Sequence, residues 1–427
     1  MSRNIALVTI DSLRADHCGF NGEDSELTPT LDELAEESVV FQNAFAPGPR
    51  TPSSMPVLMT GRFPSVQTGS FSWQSRWDRI RKHLGTHRTI AERLQNHGYT
   101  TVGVTTNPWT HGTGFDTGFD HFFELTADDM ESPSTVFRLL EQGMQFGDMA
   151  DRYNWHNKRE WFVQWQNQYT NILDAIDIAQ ANEPYFLWVF LLDSHQPYMV
   201  PREHRVDCNT FEMYFGAFQE FRQKGESIPE STLNRLHRAY RDSVRSTDEF
   251  VGRLHEDLAE DDPLLVFHSD HGEAFDEHGT YGHERELYEE NLRVPLLVHG
   301  TDQSERVDDL VSLRALPELL SHLAEAGEID PERLTQDFVF AATEDTDTWS
   351  GRSDRWKYIQ EGDEERLFDL DTDREEQENV TSEIADVSEL LRRLVGIRQS
   401  TSQEKGRIGR AVAETVPVQA PAVEGQS

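Results

Sequence analysis

Two stretches of this chain run apolar without alternation and then stop on an acid. Leu264-Leu265-Val266-Phe267-His268-Ser269 leads into Asp270-His271-Gly272-Glu273, and Asn4-Ile5-Ala6-Leu7-Val8-Thr9-Ile10 leads into Asp11. A strand covered on one face alternates apolar and polar residues, whereas an unbroken apolar run is a strand covered on both faces. Such strands belong to parallel sheets, where ligands gather beyond the carboxyl ends. An Asp-His pair at one strand end and an Asp at another offer oxygen and nitrogen donors that suit a divalent metal. Taken singly, either Asp could be a turn former or a helix N-cap.

The rest of the chain supports a layered α/β fold. Pro184-Tyr185-Phe186-Leu187-Trp188-Val189-Phe190-Leu191-Leu192 is a third apolar run, and Tyr99 to Asn107 reads as a fourth strand. Between them, Thr28-Pro29-Thr30-Leu31-Asp32-Glu33-Leu34-Ala35 opens a helix with Leu31, Leu34 and Ala35 on one face. Thr89 to Asn96 is another helix, with Gly98 as its stop. Residues 229–259 read as helical. Strand and helix alternate to about residue 310, which predicts a mostly parallel sheet flanked by helices. Residues 126–180 are polar and aromatic without period, and read as an insertion that shapes a pocket.

Beyond about residue 335 the texture changes. Phe338 to Ala342, Trp356 to Ile359 and Arg366 to Leu370 are short strands with polar turns, followed by a helix over about 383–398. The expected organisation is a catalytic α/β domain over 1–330, a small antiparallel α+β subdomain over 331–400, and a disordered tail over 401–427.

Charge bounds the partners. The 427 residues carry 39 Lys plus Arg against 77 Asp plus Glu, a net charge of −38. Lysine is confined to Lys82, Lys158, Lys224, Lys357 and Lys405. This balance argues against nucleic acid as a partner. The acids are scattered, which fits a surface adapted to concentrated salt better than a cation-binding patch. Self-repulsion is screened within about 3 Å at molar salt. The melting temperature is therefore expected to rise from dilute buffer to molar potassium chloride, and a flat or falling curve would count against a high-salt origin. Cys18 and Cys208 do not make a disulfide framework. The start shows no signal-peptide core, and no apolar run reaches membrane-spanning length, so a cytoplasmic protein is expected.

Three further segments carry chemistry. Pro47 to Ser54 leads into Met55-Pro56-Val57-Leu58-Met59-Thr60-Gly61, a Pro/Ser-rich turn opening a short helix. Its free N–H groups would form an anion site near Thr51; the plainer alternative makes Thr51 or Ser53 an N-cap. Asp193-Ser194-His195 follows the third strand, which places His195 for acid–base work on a leaving group. His278 and His283, set among glycines, suit a loop closing over an anion. Asn107, at the end of its strand, and His278 are expected to contact substrate.

These segments together resemble the sulfatase family of the alkaline phosphatase superfamily. Asn4 to Gly19 resembles its opening strand, Thr28 to Ala35 its first helix, and Thr60-Gly61-Arg62-Phe63-Pro64 the end of its nucleophile signature. Ser194-His195-Gln196-Pro197-Tyr198 resembles its leaving-group histidine motif. Ser269 to Glu273, Gly282-His283 and Arg293-Val294-Pro295-Leu296 resemble its second metal strand and the following loop. Lys357-Tyr358 and Leu367-Phe368-Asp369-Leu370, with Glu375 and Asn379, resemble its small C-terminal domain.

The resemblance implies an alkaline-phosphatase-like fold and a metal-dependent ester hydrolase. The family signature runs Cys or Ser, any residue, Pro, Ser, Arg, and ends in Thr-Gly. Counted back from Gly61, Thr51 stands where the cysteine that becomes formylglycine belongs, and Met55 where the arginine belongs. Ser12 replaces a second metal-binding Asp, His271 an Asn, and His283 a Lys. Threonine cannot become formylglycine. The set Asp11, Thr51, Asp270 and His271 resembles that of relatives in which a Thr acts on phosphoryl groups around a metal. The implied cofactor is one divalent ion: calcium, manganese, zinc or magnesium. The implied activity is hydrolysis of a small-molecule, glycan or lipid ester of sulfate or phosphate, with Thr51 as nucleophile and His195 and His283 in support. The rivals are a phosphodiesterase or phosphoryl-group transferase using the same residues, and a non-catalytic binder of anionic glycans or lipids.

Overall fold

A computed structural model describes residues 2–22, 26–64, 73–130, 159–209, 212–213, 228–345 and 347–415. Most of the central part of the expected insertion, residues 131–158, lies outside them, as does the end of the expected tail, 416–427.

The strands in chain order are β1 (Ile5–Ile10), β2 (Ser38–Phe45), β3 (Thr100–Thr105), β4 (His121–Glu124), β5 (Tyr185–Leu191) and β6 (Leu264–Ser269). A short hairpin of β7 (Ala274–Phe275) and β8 (Tyr281–Gly282) precedes β9 (Arg293–Val294), β10 (Leu296–His299) and β11 (Glu305–Ser312). The C-terminal strands are β12 (Val339–Ala342), β13 (Thr348–Arg352), β14 (Trp356–Glu361) and β15 (Glu364–Asp369). The helices that matter below are α1 (Pro29–Glu36), α2 (Thr51–Thr60), α3 (Trp73–Leu84), α4 (Ile90–Asn96), α5 (Tyr169–Gln180), α6 (Glu230–Asp257), α7 (Leu316–Ala326) and α8 (Ala385–Thr415).

The main sheet has the order β11-β2-β10-β6-β1-β5-β3-β4, with β9 pairing β2. Its pairs are parallel except where β10 runs against β6 and β2, and where β9 runs against β2. This is the mostly parallel α/β architecture expected from the apolar runs. Both faces of β1 are covered. Ala6, Val8 and Ile10 enter one core cluster, whereas Ile5 and Leu7 enter the other. β5 divides the same way, with Leu187 and Val189 on one side and Phe186, Trp188 and Phe190 on the other. A side chain of this size contributes about 1.5–3 kcal/mol when fully buried. Double coverage therefore explains why these strands have no polar face.

The C-terminal strands form an antiparallel meander, β12-β13-β14-β15. One face packs on the main unit through Phe45, Leu292, Leu310, Ile359 and Phe368. The other takes α8 through Trp349, Tyr358, Leu391 and Val395. Lys357 on β14 is fully buried and is held by Glu289 at 2.8 Å and Glu376 at 3.2 Å. Such a cation is tolerated inside only because carboxylates meet it.

One boundary differs from the sequence reading. α8 runs past residue 400, where a disordered tail was expected to begin, and reaches Thr415. The segment lacks an apolar stripe, but Ala, Gln, Glu, Lys and Arg are good helix formers and extend a helix that packing has already started. Among the described residues, no helix is long and apolar enough to cross a membrane.

Candidate active site

Register brings the site together. Ile10 pairs with Ser269 and with Leu191, so β6, β1 and β5 end at the same level. The next residues are Asp270 and Asp11, and the chain beyond β5 carries His195. The neighbouring β3 ends at Thr105 and is followed by Asn107. Adjacent parallel strands thus deliver every one of these groups to the carboxyl edge of the sheet.

Asp11, Asp270 and His271 each present a ligand atom within 4.8 Å of the others, and all are buried. His271 Nδ1 lies 2.9 Å from the Gly272 carbonyl, to which it donates. That bond fixes the tautomer and turns the Nε2 lone pair inward. Nε2 then lies 3.4 Å from Asp11 Oδ1 and 3.5 Å from Asp270 Oδ2. Burial, with His283 adding to it, pushes the imidazole down to about 3 and so keeps it neutral. Burial and then the Asp11 carboxylate push the Asp270 carboxyl well above the ordinary range. Asp270 Oδ2 has no hydrogen-bond partner. Donor atoms of two carboxylates and one imidazole therefore converge in the interior, and one of them, Asp270 Oδ2, has no partner. A divalent cation satisfies this arrangement, because it offsets the charge and occupies the orphaned oxygen. The donor set fits a metal ion.

Thr51 opens α2 at this point. Its Oγ1 donates to Asp11 Oδ2 at 3.2 Å and lies 3.3 Å from His271 Nε2. The rival hydroxyls face elsewhere. Ser53 Oγ closes the helix start on Arg50, accepting from its N–H at 3.2 Å and donating to its carbonyl at 2.8 Å. Ser54 Oγ donates to the Asp270 carbonyl at 2.6 Å. Met55 is buried with Leu58 and Met59 in the core below the sheet. Its apolar side chain thus supports the helix from beneath.

Histidines form one wall. His195 is stacked on Trp161, with ring centroids 4.6 Å apart. It also meets His283, edge to face, at 4.8 Å, and His283 in turn meets His271 at 4.6 Å. His195 Nδ1 is spent on the Gln196 carbonyl at 2.6 Å, which leaves Nε2 for the site. Burial lowers the His195 imidazole below its ordinary value. His283 Nδ1 lies 2.9 Å from Glu273 Oε1. Glu273 is fully buried, and burial raises its carboxyl to about 8.

Two residues expected to contact substrate have protein partners in the structure. The Asn107 amide is engaged at both ends: Nδ2 donates to Asp11 Oδ2, and Oδ1 accepts from Trp109 N at 2.9 Å. Both ends of the amide are used, so Asn107 orients Asp11. His278 is also engaged away from the cluster. Its Nδ1 meets Glu290 at 2.8 Å, its Nε2 meets the Glu375 and Glu376 carbonyls at 3.0 and 3.2 Å, and its ring stacks on Tyr288 at 3.6 Å. It braces the C-terminal unit. Trp161 and Glu273 were not assigned from the sequence. Trp161 lies in a segment without period, whereas Glu273 stood in plain view beside the Asp-His pair.

The family model described as Sulfatase matches residues 3–326. The chain belongs to the sulfatase family. Among curated sulfatases it is 23% identical over 350 residues to iduronate 2-sulfatase from Mus musculus, covering 69% of this chain and 59% of that protein. It is 22% identical over 475 aligned positions to an arylsulfatase from Clostridium perfringens, covering 95% and 96%. The chain spans less than two thirds of the iduronate 2-sulfatases from mouse and human that it matches, 59% and 56% of their lengths. Solved sulfatase-like structures share the fold. The phosphonate monoester hydrolase of Agrobacterium radiobacter superposes with a TM-score of 0.64 at 17% identity, covering 93% of this chain and 96% of that one. A structure holding its substrate D-glucosamine-2-N,6-O-disulfate superposes with a TM-score of 0.62 at 15% identity, covering 95% and 99%.

Proposed function

We propose that this chain is a metal-dependent hydrolase of sulfate or phosphate esters in which Thr51 is the nucleophile. One observation carries the reading: the Thr51 hydroxyl lies between Asp11 and His271, at 3.2 and 3.3 Å, at the N-terminus of a buried helix. Asp11, Asp270 and His271 would hold one divalent ion, which when bound would lower the proton affinity of a hydroxyl beside it and balance anionic charge.

Thr51 Oγ1 passes its proton to Asp11 Oδ2, to which it already donates, and attacks sulfur or phosphorus in line as the bond to the ester oxygen breaks. His195 acts in its doubly protonated form, which Asp11 favours against burial, and gives that oxygen a proton from Nε2 as it leaves. The α2 N–H groups and His283 face the negative charge of the transferred group. The product of this half-reaction is an ester on Thr51, and water then attacks the same central atom and frees the hydroxyl. The names of the curated relatives, iduronate 2-sulfatase and choline-sulfatase among them, support a sugar or small-molecule ester as substrate.

The threonine also favours a second reading. A formylglycine hydrate can expel sulfate by breaking a carbon–oxygen bond, whereas a threonyl ester must be resolved by attack on the central atom. Phosphorus accepts that attack in diesters and phosphonates as well as monoesters. A screen of aryl sulfate, phosphate monoester, phosphodiester and phosphonate monoester separates the readings. Turnover of none of them by the metal-loaded chain would leave the non-catalytic binder standing.

The assignment of His195 makes its own prediction. Nitrophenolate departs without a proton, whereas an alkoxide does not. His195→Ala should therefore cost roughly 100-fold or more in kcat/KM with alkyl esters, and much less with nitrophenyl esters. Equal losses on both would show that His195 does not act on the leaving group.

A further inference from the structure

The C-terminal end of α2 carries a feature that the chemistry above does not use. α2 is 10 residues long, so this end lies about 15 Å from Thr51. Thr60-Gly61-Arg62-Phe63 leaves the helix there, and arginines converge on it. Arg314, just before α7, donates from Nη1 to the Gly61 carbonyl at 3.4 Å. Arg398, on α8, lies over the Phe63 ring at 4.9 Å and the Phe340 ring at 5.9 Å. Arg62 stands between Gly61 and Phe63 and is exposed. Arg93 belongs to α4, which packs against α7.

These cations are poorly compensated. Among the described residues, none of Arg62, Arg93, Arg314 and Arg398 is in an ion pair, and Nε of both Arg93 and Arg398 is buried without a hydrogen-bond partner. Arg398 is held down to about 10 by burial and then by Arg314. Arg93 and Arg314 are likewise lowered by burial, and Arg62 repels both. The acid that faces Arg93 and Arg314 is Glu318 of α7. His83, whose Nε2 meets Thr60 Oγ1 at 2.9 Å, is kept neutral by burial at about 3 and adds no charge. The segment that follows in sequence, residues 65–72, contains no Asp or Glu. In a chain of net charge −38, such a gathering of unpaired guanidinium groups stands against the average. The α2 carbonyl end draws cations but accounts for one or two of them. Guanidinium forks match the oxygens of tetrahedral oxyanions.

We propose that Arg62, Arg93, Arg314 and Arg398 form a second anion site, for a tetrahedral oxyanion of the sulfate or phosphate class, at the end of α2 opposite Thr51. The ligand bridges the catalytic unit and α8, because Arg398 comes from the latter. Two sources share this chemistry: the free inorganic anion, and an ester group on a polyanionic chain.

Equilibrium dialysis of the full chain against radiolabelled inorganic sulfate at constant ionic strength tests the site. Asp270→Ala, which damages only the active site, should still bind sulfate. In that background Arg62→Ala should weaken binding by roughly tenfold or more, and Arg62→Lys should restore part of it. Arg62 is exposed, so its replacement leaves the core intact, and an unchanged melting temperature verifies this. Dextran sulfate that displaces the label with much higher affinity than phosphate does would assign the site to a polyanionic chain, and equal competition would assign it to the free anion. Loss of all sulfate binding in Asp270→Ala, or wild-type binding in both Arg62→Ala and Arg93→Ala, would overturn the proposal.

Discussion

Thr51→Ala is expected to lower turnover by roughly three orders of magnitude or more, because removal of a nucleophile leaves only binding and electrostatic assistance. The proposed metal ligands Asp11, Asp270 and His271 are untouched, so the ion should be retained with weakened affinity. Thr51→Ser keeps the hydroxyl at the same helix start and should keep part of the activity. Thr51→Cys should be inactive as a sulfatase, since in the proposed match to the family signature Ser53 and Met55 stand where the Pro and Arg that a maturing enzyme reads would be. The neighbouring hydroxyls offer a real alternative by sequence, but Ser53 is closed on Arg50 and Ser54 on the Asp270 carbonyl. Neither can turn to the metal cluster without giving up the bond that caps or seats the helix. Trapping a slow substrate and mapping the labelled peptide by mass spectrometry decides the matter. A covalent adduct on Ser53 or Ser54, or full activity in Thr51→Ala, would falsify the assignment.

The parts of this site that could be read in the sequence are those fixed by strand ends. β1 and β6 are apolar on both faces, so their pairing in the core was legible, and an acid just beyond each end has one place to go. The register Ile10 to Ser269 then sets Asp11 beside Asp270 without further information. The reversal of β10 between β6 and β2 was not legible, because a short apolar strand carries no mark of its direction. Roles decided by side-chain partners were also hidden. Asn107 and His278 are polar residues near the right strand ends, yet each spends its polar atoms on protein groups. Their partners Asp11, Glu290 and Glu376 are distant in sequence, so no local pattern announces the pairing. Trp161 reaches His195 from a segment with no periodicity at all. Met55 looked like a missing charge when compared with the family pattern; in the fold it is a core side chain.

Asp270→Ala should abolish both stoichiometric metal binding and activity, and its effect on stability should change sign with the metal. In the metal-free protein, Asp270 is a buried carboxyl with an unpartnered oxygen, next to a second carboxylate and facing an imidazole lone pair. Holding such a group inside is unfavourable, by an amount on the order of 1–3 kcal/mol for an unsatisfied buried polar atom. Asp270→Asn, which preserves shape and cannot ionise beside Asp11, should therefore leave the metal-free melting temperature unchanged or higher. When a divalent ion is added the order should invert. Wild type gains about 2.7 kcal/mol at an ion concentration one hundred times the dissociation constant, whereas the variants, short of a ligand, gain little. The crossing distinguishes a metal ligand from a structural carboxylate, which would destabilise the protein on removal whether or not metal is present. Elemental analysis completes the test: a purified Asp270→Ala protein that retains one equivalent of metal would show that the ion, if bound, is held elsewhere.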